Sequence, residues 1–365
     1  VAIRDLLADL QADLGPYHDI LGYHDDITGF GNDPAALERA VESINKGPHG
    51  LKVNINKCKI MHIDEVRRHG IELLGSVGGP EHARRKFLRD KLDALELALN
   101  KLAAVPNHTA FTLLTKSIQL EVRHLLRSMD TSDLSDLHDR ADAMLLQQVY
   151  RLQGASPEQP RQHIAKSLIH LPPKLGGLGL TSHSLLAPLA RQAANSAADV
   201  TLTKAGVKDP TVMDTDADNS EEPVSQGKLT KQAHQTQLAS LFQCLSVTER
   251  AAVIDNANPI NRRWISTVPT TDTFSLDDHE LASAIRLRLL LPANVSCSYC
   301  RQQADITHIS NTPCSTGHRS GPHNIIQRAL ADAIRSIGHG LKVKLEPRSG
   351  NGRNDLRISG SQELG

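Results

Sequence analysis

Residues 18–30 read His18-Asp-Ile-Leu-Gly-Tyr-His-Asp-Asp-Ile-Thr-Gly-Phe30. Asp25 and Asp26 stand between two short β-prone runs, which predicts a hairpin with both acids at its tip. Two adjacent carboxylates on a tight turn can share divalent cations about 4 Å apart, an arrangement suited to phosphoryl transfer. Mg²⁺ (or Mn²⁺) fits such a site, because it takes hard oxygen ligands. Upstream, Asp5, Asp9 and Asp13 share a helix with Leu6, Leu7, Leu10 and Leu14 and belong to its polar face. Downstream, Asp33-Pro34 opens a helix on which Leu37, Val41 and Ile44 recur, and Gly47 ends it. Strands are expected over 51–55, 59–63 and 71–74, the last running into the turn at Gly75-Ser76-Val77-Gly78-Gly79-Pro80. The first eighty residues thus read as α+β.

From Arg84 to Leu152 the period becomes helical. Leu88, Leu92, Leu95, Leu99 and Leu102 form one apolar seam, and Phe111, Leu114, Ile118, Val122 and Leu125 a second, with Pro106 between them. A third helix over 132–152 would complete a bundle. Pro172-Pro173 and the glycines at 176, 177 and 179 break the helical run. Residues 205–228, poor in large apolar side chains, read as the centre of a largely disordered linker spanning 186–230. A helical region over 231–292 follows, then a helix over 323–337 and strands over 341–345 and 355–358.

Lys plus Arg and Asp plus Glu each total 41, so no net field draws the whole molecule to a polyanion and any basic surface is local. The longest apolar run, near Leu287–Leu291, is broken by Arg288 and Pro292, which excludes a membrane span there. The expected location is intracellular, in nucleus or cytoplasm. Val1 and Gly365 read as cut edges of a longer chain. Cys297-x2-Cys300-x7-His308-x5-Cys314 offers three thiolates and an imidazole at spacings that can close a tetrahedral structural Zn²⁺ site, with His318 as a spare ligand.

Leu21-Gly-Tyr-His-Asp-Asp-Ile-Thr28 resembles the Tyr-x-Asp-Asp motif of reverse transcriptases, and later segments resemble that family's motifs in their usual order. Gly50-Leu-Lys-Val-Asn-Ile-Asn-Lys-Cys-Lys59 is similar to the motif whose lysine lies near the incoming nucleotide's phosphates, with Lys57 the best match and Lys59 the alternative. A cation there would stabilise charge on the leaving pyrophosphate. Leu73 to Gly78 resembles the primer-grip hairpin, implying contacts from Leu74, Gly75, Ser76 and Gly78. The bundle takes the thumb position, where Arg84, Arg85, Lys86, Arg89 and Lys91 would meet the duplex backbone. Leu171-Pro-Pro-Lys-Leu-Gly-Gly-Leu-Gly-Leu180 looks like the segment after the thumb in non-LTR-type retrotransposons.

The zinc motif followed by His323-Asn324 resembles the junction with a restriction-like endonuclease, which implies nuclease roles for Arg319, His323, Glu346 and Asp355. The sequence departs from that pattern at Pro322 and Asn354, where the family has arginine and proline. The family's first palm aspartate and its nucleotide-binding glycine segment have no counterpart in Val1–Gly22. The resemblance therefore implies a partial palm (1–80), a helical thumb and connector (81–185), the linker (186–230), a helical region (231–292), a zinc module (293–320) and a truncated α/β endonuclease start (321–365). The expected partners are an RNA template, a DNA primer or target, and deoxynucleotides, with no membrane. This stretch alone is expected not to polymerise. The alternative is a domesticated or decayed zinc-containing nucleic-acid-binding or interaction protein without catalysis. Low aromatic content, 3%, favours phosphate contacts over base stacking in either case.

Overall fold

The computed structural model describes residues 2–15, 18–23, 26–47, 52–154, 161–204, 223–271, 275–293, 296, 301–306, 342–345, 348–349, 352–353 and 356–359. These residues are mostly helical with short antiparallel hairpins, a mixed α+β fold.

At the front, α1 (Ala2–Leu14) and α2 (Pro34–Lys46) flank the hairpin of β1 (His18–Tyr23) and β2 (Asp26–Gly31). Helix α2 begins as expected: the Asp33 side chain accepts from Ala35 N at 3.0 Å and Pro34 fills the first turn, where its missing N–H costs nothing. Leu6 and Leu10 of α1 and Ile44 of α2 bury together, with Ile20 of β1 packed against them. That small core fixes the hairpin to its two helices.

The two strands expected over 51–55 and 59–63 are not strands among the described residues. Residues 55–57 form a 3-10 turn, and α3 (Ile63–His69) starts where the second strand should end. End signals outweigh the β-prone Ile60 and Ile63. The His62 ring accepts from Asp64 N at 3.3 Å, Asp64 and Glu65 occupy the positive first turn, and Arg67, Arg68 and His69 the negative last turn. Next, β3 (Ile71–Leu73) pairs with β4 (Ser76–Gly78) across Leu74 and Gly75.

The remainder is a helical body: α4 (Glu81–Lys101), α5 (Asn107–Lys116), α6 (Leu125–Ser128), α7 (Ser135–Leu152), α8 (Gln162–His170), α9 (His183–Lys204), α10 (Gln226–Gln243), α11 (Val247–Asn256), α12 (Arg263–Ser266) and α13 (Asp278–Arg288). The α4 seam is buried as its spacing predicted, with Leu88, Leu92, Leu95 and Leu99 each 3% exposed or less. Full burial of one such side chain contributes about 1.5–3 kcal/mol. The second seam is buried too, but not as one helix: the chain leaves α5 at Ser117 and reaches α6 through a 3-10 turn over 118–120.

Two boundaries differ from expectation. Residues 81–185 and 231–292 share one core: Phe111 stacks on Trp264 with ring centroids 5.6 Å apart, and Leu281 and Ile285 of α13 join the α4 leucines. The expected 186–230 linker is helical at both ends, through α9 to Lys204 and α10 from Gln226, and 205–222 lie outside the described residues. Helix α9 buries Leu186, Ala187, Ala190 and Ala193, so its apolar stripe is built of small residues. Towards the C-terminus, β5 (Lys342–Leu345) pairs with β8 (Leu356–Ser359), as the expected strands suggested, and β6 (Arg348–Ser349) with β7 (Gly352–Arg353). No described helix is long and apolar enough to cross a membrane.

Candidate functional site

The register of the first hairpin runs from His18 opposite Gly31 to Tyr23 opposite Asp26. Only His24 and Asp25, both outside the described residues, separate the two strands in sequence. Asp26 opens β2 and is exposed. Lys57 ends the 3-10 turn over 55–57, and it and Lys59 are both exposed, so the choice between them stays open.

The second hairpin turns through Leu74 at φ 50° and Gly75 at φ 71°. Positive φ at both central residues matches the strand twist, at a cost for Leu74 that glycine would avoid. Leu74 is exposed and Ser76 buried. A ring nitrogen of His124 lies 3.4 Å from the Gly75 carbonyl oxygen and ties the turn to the segment before α6.

The basic run of helix α4 finds acidic partners within the fold. Arg84 donates to both carboxylate oxygens of Asp133 at 2.7 Å and to the backbone oxygens of Asp130 and Gly79. The hydrogen bond to Asp133 holds its pKa above the ordinary value against the opposing effect of burial. Arg85 bonds Asp136 and Glu81, and Lys86 bonds Asp90. The acids preceding and opening α7 thus pair with two of the cations assigned to a duplex, and Asp90 of α4 itself with a third; Arg89 is exposed, and Lys91 lies 5.0 Å over the Phe87 ring.

The 171–180 segment folds back along α8, with Leu178 N and Leu180 N donating to Leu168 O and Ile169 O. A Cβ at Gly177 would run into the carbonyl oxygens of Leu171 and Leu168, so only glycine fits there. Arg288 anchors the segment from α13. Immediately after it, buried Asp142 of α7 receives the start of α9: His183 N at 2.6 Å, Ser184 N at 3.2 Å and Ser182 Oγ at 2.9 Å. His183 Nδ1 is 3.2 Å from the same carboxylate, and its Nε2, like Nε2 of His138 and His170, is buried with no hydrogen-bond partner among the described residues. A carboxylate at a helix N-terminus satisfies orphan N–H groups. This cluster is scattered over three helices, and no local motif announces it.

Compared with known proteins, the chain matches no family model and no curated sequence at a significant level.

Cys297, Cys300, His308 and Cys314, together with Arg319, His323, Glu346 and Asp355, lie outside the described residues. Beside them, Ser296 bridges Gln303 antiparallel, and Leu345 pairs with Leu356. Among the described residues no group of three or more His, Cys, Asp or Glu gathers as a metal-binding set.

Proposed function

We propose that this chain is part of a non-LTR-type retrotransposon reverse transcriptase, whose longer parent synthesises DNA on an RNA template, and that these residues alone do not polymerise. The observation that carries the reading is the Tyr23–Asp26 pairing, which sets the first and last residues of the Tyr-x-Asp-Asp motif opposite each other in a hairpin flanked by two helices. Among the described residues the hairpin is two-stranded and leaves Phe30 half exposed, so its edges can accept the further strands that a palm needs. The β3–β4 turn then precedes the helical body in the order the family uses.

Asp26 offers an exposed hard-oxygen donor, which suits Mg²⁺. The remaining donors would be Asp25 and an acid supplied from elsewhere in the parent. When bound, the metal lowers the pKa of the primer 3′-hydroxyl and neutralises phosphate charge. The residues hold and position: Asp25 and Asp26 fix the cation, and Lys57, or Lys59, sets a positive charge beside the departing pyrophosphate as the primer oxygen attacks the α-phosphate. Cys297, Cys300, His308 and Cys314 would hold a structural zinc with no open position.

The test is Asp25→Asn with Asp26→Asn in a parent restored to full length. DNA synthesis on an RNA template should disappear. Undiminished synthesis would sink the assignment.

A further inference from the structure

A groove of about 1020 Å³ opens where the segment before α6, the 171–180 loop and the facing sides of α9 and α10 meet. Arg123, His124 and Arg127 line one wall, Lys174 of the loop another, and Lys231 and His234 of α10 a third. Among the described residues no Asp, Glu, Phe, Tyr or Trp side chain lines it. Arg127 is held by a neutral partner, donating to Gln226 Oε1 at 2.8 Å. Burial, with Lys174 nearby, pushes the His234 imidazole below its ordinary range, so Arg123, Arg127, Lys174 and Lys231 carry the positive field.

This concentration is local. The chain as a whole has no net charge, and the basic run of α4 is matched by acids. Four cations from three separate segments around a concave surface, without a counter-carboxylate among the described lining, create a potential that attracts repeated negative charge. The volume lies at the upper end of small-molecule pockets and admits a few nucleotides, whereas a rigid duplex offers a groove only its convex edge. With no Phe, Tyr or Trp ring among the described lining, phosphate rather than base is the group chiefly contacted.

We infer that this groove holds the sugar–phosphate backbone of a single polynucleotide strand. The inference stands on the groove's charges and does not require the hairpin to be catalytic.

The test is fluorescence anisotropy of the whole chain with short labelled oligouridylate and oligothymidylate strands across a salt series. Both strands should bind alike. Lys174→Glu with Lys231→Glu should weaken binding at least tenfold at about 100 mM salt and reduce the slope of log K against log salt by about 1.4, the loss of two phosphate contacts. Both positions are exposed, and Lys174→Gln with Lys231→Gln gives a milder change in the same direction. Lys46→Glu with Lys101→Glu, both exposed, alters net charge equally away from the groove and should leave affinity unchanged. Equal loss in that control overturns the inference, as does a duplex of the same length bound more tightly than the strands. No binding by the wild-type chain also overturns it.

Discussion

Buried Arg288, at the end of α13, donates from Nε to the carbonyl oxygen of Gly177 at 2.9 Å and from Nη2 to that of Pro173 at 3.2 Å. Burial, with Arg262 nearby, lowers its pKa to about 10, so the guanidinium stays charged at neutral pH. Arg288→Ala removes the donor to the Gly177 carbonyl, leaves that of Pro173 with Gly176 N alone, and opens a cavity, and should cost about 3 kcal/mol. Urea unfolding followed by circular dichroism measures this; an unchanged midpoint would show the clamp to be dispensable.

Asp142 makes the body acid-sensitive. Burial would raise its pKa, but hydrogen bonds from the His183 ring and backbone, with His170 close by, outweigh that and hold it at about 2 instead of 3.8. The folded carboxyl is the stronger acid, so its contribution, roughly 2 kcal/mol, is complete above about pH 4 and lost as pH falls towards 2. Burial also lowers the pKa of His138 and His170 below 6.5. The unfolded chain then takes those protons first, so stability begins to decline as pH drops below 6.5. Thermal midpoints over roughly pH 3 to 8 should fall monotonically with acidity. Asp142→Asn should lower the neutral-pH value and flatten the limb below about pH 4.

Arg84 and Asp133 should couple by about 1–2 kcal/mol in a double-mutant cycle of alanine substitutions, since the pair is bidentate and the Arg84 side chain only 12% exposed. Arg84→Ala should reduce stability and leave strand binding as in the wild type. A loss of binding with unchanged stability would restore Arg84 to the nucleic-acid surface.

Zinc is checked by stoichiometry. The purified chain should carry one equivalent of metal, and Cys297→Ser with Cys300→Ser none, because two remaining ligands do not close a tetrahedral site. Equal zinc in both proteins removes Cys297 and Cys300 from any site.

The sequence makes elements legible where one local rule dominates. The α4 leucines repeat at helical spacing, Asp33-Pro34 starts α2, and short alternating runs on either side of His24-Asp25 mark the first hairpin. It misleads where packing decides. Helix α9 hides behind alanines, because its neighbours approach closely and need no large side chains. The run Arg84 to Lys91 looks like a binding surface until the fold brings Asp133 and Asp136 against it. The groove cations come from three distant segments, so no window of the sequence gathers them. Arg288 breaks the expectation that charged residues stay outside, and only the carbonyls of the 171–180 loop explain it.

The Arg288–Gly177 bond spans 111 positions of the chain. At a synthesis rate of about 5–20 residues per second, the 171–180 loop therefore leaves the ribosome roughly 5–20 s before the arginine that anchors it. During that interval the leucine-lined helices already made can collapse on one another, while the loop and its uncovered carbonyls wait for α13. A nascent chain paused before residue 288 should expose this region to proteases or chaperones, and release of the pause should close it.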